Sequence, residues 1–347
     1  MFLFGGYLAF ILLRFGFCKM KIDWKYQLQQ YGAALALAVP IFVSLSLYIF
    51  YRRGYYDLYI ANKAFAGDAA VLLGVVFLLG PLSRFFVIFD RYLQYRKEIG
   101  MVAFFLALIH GLVSIFFLPS KFPMSRYVST LNWPFVFGLA GLVVLVMLFF
   151  ISNSWVENRL GTERWWWLQN WGLRLVVGLT VLHVFVMKMN GWLSWYKVGG
   201  EATLAHPELP GGGLLVGWFL TFAVLVRLSE FGGVRFGRLV WYFCVVTLPI
   251  VFFATFWWGS GFRAQMQQAA CMTRNQVDEA LGAKRCLVIF DNKVYDLTLA
   301  NKWDLTGHVG KHLCGREYDK EMIEKGPHPV SVMERFAVGT LCVPATR

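Results

Sequence analysis

Five histidines carry the chemistry this sequence can offer, and they fall into two groups. His110 and His183 stand inside long apolar runs, while His308, His312 and His328 stand in a charged C-terminal segment. An ionisable side chain at membrane depth is costly and marks function by default. Two neutral imidazoles brought from facing helices can ligate one planar iron porphyrin on both faces, the chemistry of a b-type haem. A lone histidine at that depth would be a hydrogen-bonded helix contact, so it is the pair that points to a metal centre. The tail histidines admit three readings: axial ligation of a second haem, a non-haem metal site with Cys314, or solvated surface side chains. Structural zinc sites combine tight cysteine and histidine pairs, and here one such pair exists, His308 and His312. On a helix these two would share a face.

The elements that must hold these groups follow from composition. Of 347 residues, 58% are hydrophobic and 15% charged, against about 25% charged in an ordinary soluble domain. A bilayer span takes about 20 apolar residues. Runs of that size at 32–51, 68–89, 99–118, 133–152, 166–189, 213–231 and 239–258 predict a membrane all-α fold of about seven transmembrane helices. Residues 1–31 read as an N-terminal interfacial segment, because MFLFGGYLAFILL is too short to span. Its charges Arg14, Lys19 and Lys21 follow the run, whereas a secretory signal has them in front. Residues 32–260 form the transmembrane domain, 261–285 a linker and 286–347 a small α+β domain. Within that last domain CLVIFDNKVYDL reads as strand, turn, strand.

Depth ties the two membrane histidines together. His110 lies 11 residues beyond Ile99 and His183 lies 17 beyond Trp166, about 16 and 25 Å from the cytoplasmic ends at about 1.5 Å per residue. The cluster Trp165, Trp166 and Trp167 belongs at the interface, which puts both histidines in the outer half of the bilayer.

The formal net charge of +13 does not imply nucleic acid, because the basic residues sit mostly between spans, where they set topology. One side collects Arg14, Lys19, Lys21, Lys25, Arg84, Arg91, Arg96, Lys97, Arg159, Arg164, Arg227, Arg235 and Arg238, and is expected to be cytoplasmic. The other side has Arg52, Arg53, Lys63, Lys121, Arg126, Lys188 and Lys197. Seven spans then put the C-terminal domain outside, in the periplasm of a bacterial inner membrane or its equivalent. Cys271, Cys286, Cys314 and Cys342 lie in the tail that follows the spans and are either two disulfides or buried thiols. His206, among prolines and glycines in an external loop, is expected to be exposed. Arg174, two turns into the fifth span, is a candidate partner for a haem propionate or a quinone oxygen; the bland alternative is snorkelling.

Two stretches carry resemblances. Residues 67–118, with the arginine-rich turn, RKEIG and the histidine after an apolar run, together with GTERWWWLQNWGLRLVVGLTVLH at 161–183, resemble the ferric-reductase-like transmembrane family. The resemblance implies haem b ligated by His110 and His183. Many members have a further histidine lower in the fifth span; here that position is Gln169, which implies that an inner haem is absent. No flavin or NADPH domain follows, so membrane quinone is the implied partner. Residues 286–342, with VYD, Trp303 and HVGKHLCGREYDKEMIEKGPHPVSVMERFAVGTL, resemble the short bacterial members of the cytochrome b5-like haem/steroid-binding family. This implies a second haem b on His328 with His308 or His312; the HPGG of the longer cytochromes b5 is missing.

Together these readings describe a membrane b-type cytochrome with an extracytoplasmic b5-like domain. It would relay electrons between the quinone pool and an extracytoplasmic redox partner. The rival from a different class is a membrane-anchored haem or small-ligand sensor without turnover.

Overall fold

The computed structural model describes residues 24–200 and 204–267 and, in the C-terminal segment, 272–298, 300, 303–304, 307–308, 312–318, 333 and 336–342. The expected interfacial residues before Trp24 lie outside the described residues, as do His328 and Cys271.

The membrane part is a bundle of long helices: α1 (Trp24–Arg53), α2 (Leu58–Phe85), α3 (Arg96–Leu112), the short α4 (Met124–Ser129), α5 (Trp133–Ile151), the short α6 (Ser154–Leu160), α7 (Thr162–Val198), α8 (Gly212–Leu228) and α9 (Gly233–Gln267). A 3-10 segment, Val87–Tyr95, leads into α3, and α3 ends in a π-helical turn, Val113–Phe117. Starts are specified locally. The Asp57 carboxylate accepts from the Ile60 N–H at 2.8 Å, and the Asn132 side chain accepts from the Phe135 N–H at 3.0 Å. Each fills one of the donors that a helix start leaves free.

Among the described residues, six helical stretches are long and apolar enough to cross a bilayer, which makes this a multi-pass membrane protein. Each of the seven expected apolar runs falls mainly within one of them, with 68–89, 99–118 and 133–152 running past a helix end, and the last two share the stretch Gly212–Gly261. That stretch is α8 and α9, separated by a 3-10 turn and Gly233, whose φ of +83° suits glycine alone. The chain reverses there. Gly237 abuts the Phe85 ring at the C-terminal end of α2, whereas Gly259 abuts the Glu208 carbonyl in the loop before α8. Trp258 Nε1 donates to the Tyr196 carbonyl at 3.1 Å on that same side. The chain therefore leaves α9 on the side that carries Arg52, Lys188 and the 204–210 loop.

The bundle core joins Leu72, Val76 and Phe77 of α2 to Ala103 and Phe104 of α3, Val176 and Val177 of α7, and Ala223 and Val226 of α8. α5 packs along α7, and α2 along α3.

The C-terminal part begins with α10 (Arg274–Gly282), started by a reciprocal Thr273–Gln276 capping box. The expected strand–turn–strand is present: β1 (Leu287–Phe290) and β2 (Lys293–Asp296) pair antiparallel. Asp291 and Asn292 supply the left-handed residues of a two-residue hairpin, with φ of 49° and 56°. After β3 (Trp303–Asp304) and β4 (Gly307–His308), which pair with each other, come β5 (Glu317–Tyr318) and β6 (Ala337–Thr340). The sheet order is β5-β1-β2-β6. β1 is buried on both faces: Leu287 and Ile289 pack on Val277 and Ala280 of α10, while Val288 and Phe290 face Tyr295 and Leu297.

Candidate functional site

His110 sits on the last turn of α3, just before the π-helical turn. Its Nδ1 lies 3.2 Å from the Asn62 backbone carbonyl and 3.1 Å from Asn62 Oδ1. A carbonyl can only accept, so Nδ1 carries the hydrogen and donates. The neutral ring then presents Nε2 as a bare lone pair. Asn62 is itself held, since its Nδ2 donates to Ser114 Oγ at 2.8 Å and its residue is 1% exposed.

His183 repeats the arrangement on α7. Its Nδ1 donates to the Pro134 carbonyl at 2.6 Å, which again leaves Nε2 as the free lone pair. Pro134 belongs to the first turn of α5. The ring reaches it only because Gly138 lies beneath: a Cβ at 138 would stand 2.8 Å from Nδ1 and 3.0 Å from Cε1. On the same helix, one turn on, Leu142 meets Gly111, the neighbour of His110. α5 thus touches both histidine-bearing helices within one turn, and His110 and His183 are near enough for the charge of one to act on the other.

Metal-ligating histidines typically donate the second ring N–H to a carbonyl, which sets tautomer and ring orientation. Both membrane histidines are prepared in this way. Among the described residues no group of three or more His, Cys, Asp or Glu forms a metal cage, whereas two axial imidazoles are what a planar iron porphyrin requires. The donor set fits haem b.

The other expected residues are dispersed. Arg174 lies nine residues before His183, about 14 Å along the axis, with its guanidinium 4.7 Å over the Trp171 ring. Gln169 Nε2 donates to Ser152 Oγ at 3.1 Å at the end of α5. His308 lies in the strand β4, so the condition for sharing a helical face with His312 is not met; pairing with β3 overrides the four-residue spacing. The His312 ring packs edge-on against Tyr318 at 5.1 Å.

His206 departs from expectation. Its side chain is 26% exposed, its Nδ1 lies 3.0 Å from Glu208 Oε1, and its ring stacks on Tyr51 at 4.1 Å. The loop is tied down by Tyr48 Oη and Arg52 Nε, which donate to the Pro210 and Leu209 carbonyls. That tether draws the ring onto α1.

The cysteine alternatives resolve in favour of bonding. Cys286 and Cys314 form a disulfide and Cys342 is also disulfide-bonded, while Cys244 is a buried free thiol.

Sequence reasoning missed Asn62, Gly138 and Asp68. Asp68 leaves a detectable trace, the one charged residue between Ala64 and Leu82, whereas Asn62 stands beside Lys63 near the start of the helix and does not stand out. Gly138 leaves none, because glycine is common in membrane helices.

No curated protein matches the chain. Residues 65–180, which carry Asn62's helix from Phe65 onward, His110, Pro134, Gly138 and the approach to His183, match the family described as ferric reductase like transmembrane component, a similarity that suggests electron transfer within the membrane.

Proposed function

We propose that the protein is a membrane b-type cytochrome that relays electrons between the quinone pool and an extracytoplasmic acceptor or partner. The observation that carries this reading is the matched pair of anchored imidazoles, each with Nδ1–H on a backbone carbonyl and Nε2 free. Bound between them, haem b would supply reversible one-electron storage. His110 and His183 would hold the iron from α3 and α7, and Asn62 and Pro134 keep both rings from turning. Phe104 and Val177, each six residues before the histidine on its helix, belong to the apolar core of the bundle. Arg174 is the cation on offer for a propionate or a quinone oxygen.

The C-terminal domain is proposed to be b5-like, with a second haem on His328 and either His308 or His312. Its place outside the cell membrane is supported by the Cys286–Cys314 disulfide, since such bonds persist in oxidising compartments. The position of the α9 exit on the less basic side supports it as well.

Haem per chain on the purified protein, with reduced-minus-oxidised spectra and reduction by a short-chain quinol, tests the reading. Bis-imidazole haem reduced within a catalytic time is expected. Haem that quinol never reduces would favour the sensor, and a chain without haem would overturn the proposal.

A further inference from the structure

Asp68 lies on α2, six residues beyond the Asn62 that anchors His110, and is 1% exposed. Neither carboxylate oxygen has a hydrogen-bond partner among the described residues. The surroundings are apolar. α1 turns Leu45 toward the neighbouring Gly67, and α8 turns Val216. Phe42 of α1 stacks on Phe65. The charged and titratable groups that reach α2 from neighbouring elements, among the described residues, include Arg53 of α1 and Lys121 at Tyr59, His110 of α3 at Asn62, Lys188 of α7 near Lys63, Arg227 of α8 at Phe77, Glu230 at Arg84 and Arg238 of α9 at Phe85. None of them bonds or pairs with Asp68.

An ionised carboxylate in such a place is heavily penalised, and a neutral acid with no acceptor for its proton is penalised less. A carboxyl kept there without compensation is a place where a proton can be bound and released as nearby charge changes. The rise from Asn62 to Asp68 is about 9 Å. At a separation of that order, with an effective dielectric near 20, one unit of charge changes proton affinity by about twentyfold.

We propose that Asp68 is a proton-binding site inside the bundle that takes up a proton when an electron arrives at the His110–His183 centre. The proposal rests on the haem reading above. For each electron accepted, iron goes from ferric to ferrous and the Asp68 carboxylate becomes the carboxylic acid, so the net charge buried in the bundle is unchanged. The proton is given back on oxidation. The electron donor is a quinol in the membrane and dithionite in the test.

The experiment is a redox titration of the purified haem-loaded full chain across pH, followed by visible and infrared difference spectroscopy, on the wild type and on Asp68→Asn. The wild type is expected to show a midpoint potential that falls with rising pH. A deuterium-sensitive carboxylic-acid band should appear on reduction. Asp68→Asn should flatten the pH dependence and lose the band while keeping its haem. Asp68→Glu should keep the band at a shifted frequency, and the wild-type band is readable even if a variant does not fold. Haem bound with a pH-independent potential, or an Asp68→Asn protein with the wild-type slope and band, overturns this inference alone. A chain without haem overturns it together with the reading beneath it.

Discussion

The Nδ1 of His183 lies 2.6 Å from the carbonyl of Pro134, 49 residues earlier in the chain. The contact converts a flexible side chain into an oriented donor: with Nδ1 committed to an acceptor, only Nε2 can reach a metal. The ring lies against Gly138, whose missing side chain leaves the space it occupies.

Gly138→Ala is therefore expected to displace His183 rather than unwind α5. Alanine is favoured over glycine in a helix interior by about 1 kcal/mol, so the helix itself gains. The added Cβ, however, would sit 2.8 Å from Nδ1. Haem content should fall at least tenfold with helicity unchanged, as read by circular dichroism beside the visible spectrum. Full haem in Gly138→Ala would show that this ring position does not matter.

Asn62→Ala should weaken the centre through His110. It removes the Oδ1 contact and the Ser114 tether but leaves the backbone carbonyl. Loss of such an outer partner typically costs about 10- to 100-fold in metal affinity, and haem titration of the purified variant measures it. His110→Ala and His183→Ala should each abolish the membrane haem spectrum; an unchanged spectrum in either refutes that ligand.

The Cys286–Cys314 bond closes a segment of sequence separation 28. Chain-entropy reasoning gives it about 3–4 kcal/mol of stabilisation. Reduction should expose the sheet, so hydrogen exchange of the β1 and β2 amides in the full chain is expected to accelerate on adding a reductant. Cys286→Ser should reproduce the reduced behaviour and become insensitive to the reductant. Protection that survives both treatments would mean that the sheet does not depend on the bond.

Acid should loosen the same sheet through Asp296. Burial pushes its carboxyl upward, but hydrogen bonds from Thr298 and from Arg285, with the Arg285 charge, outweigh it and leave the group below its ordinary value. A carboxyl depressed by folding stabilises the fold fully above its unfolded value of about 4. That contribution is lost as pH falls through the folded value. Exchange protection of β2 should therefore drop below about pH 4, and Asp296→Asn should start weaker at neutral pH and lose that part of the acid dependence.

Much of this architecture is written locally. Long apolar runs separate from water whatever their neighbours, so the membrane helices at 68–89 or 133–152 could be read from composition. The β1–β2 hairpin follows from a two-residue turn between β-formers. His110 and His183 stand out because an ionisable group in a lipid-facing length of chain has no local justification. The division of 213–231 from 239–258 was legible as two runs, yet their reversal depends on Gly233 and on contacts with Phe85 and Glu208.

What the chain's order of residues does not contain is partnership at a distance. Asn62 meets His110 across 48 positions and Pro134 meets His183 across 49. No periodicity encodes such pairs, because they arise only when α2 packs on α3 and α5 on α7. The lack of a hydrogen-bond partner for Asp68 among the described residues and the choice of disulfide over free thiol at Cys286 are tertiary outcomes as well. So is the partial covering of His206, expected to be exposed, whose ring is drawn onto Tyr51 because its loop is tied to α1. Composition and spacing specify which groups enter the membrane; packing decides what each can touch, and that contact sets which nitrogen is free and which carboxylate stands alone.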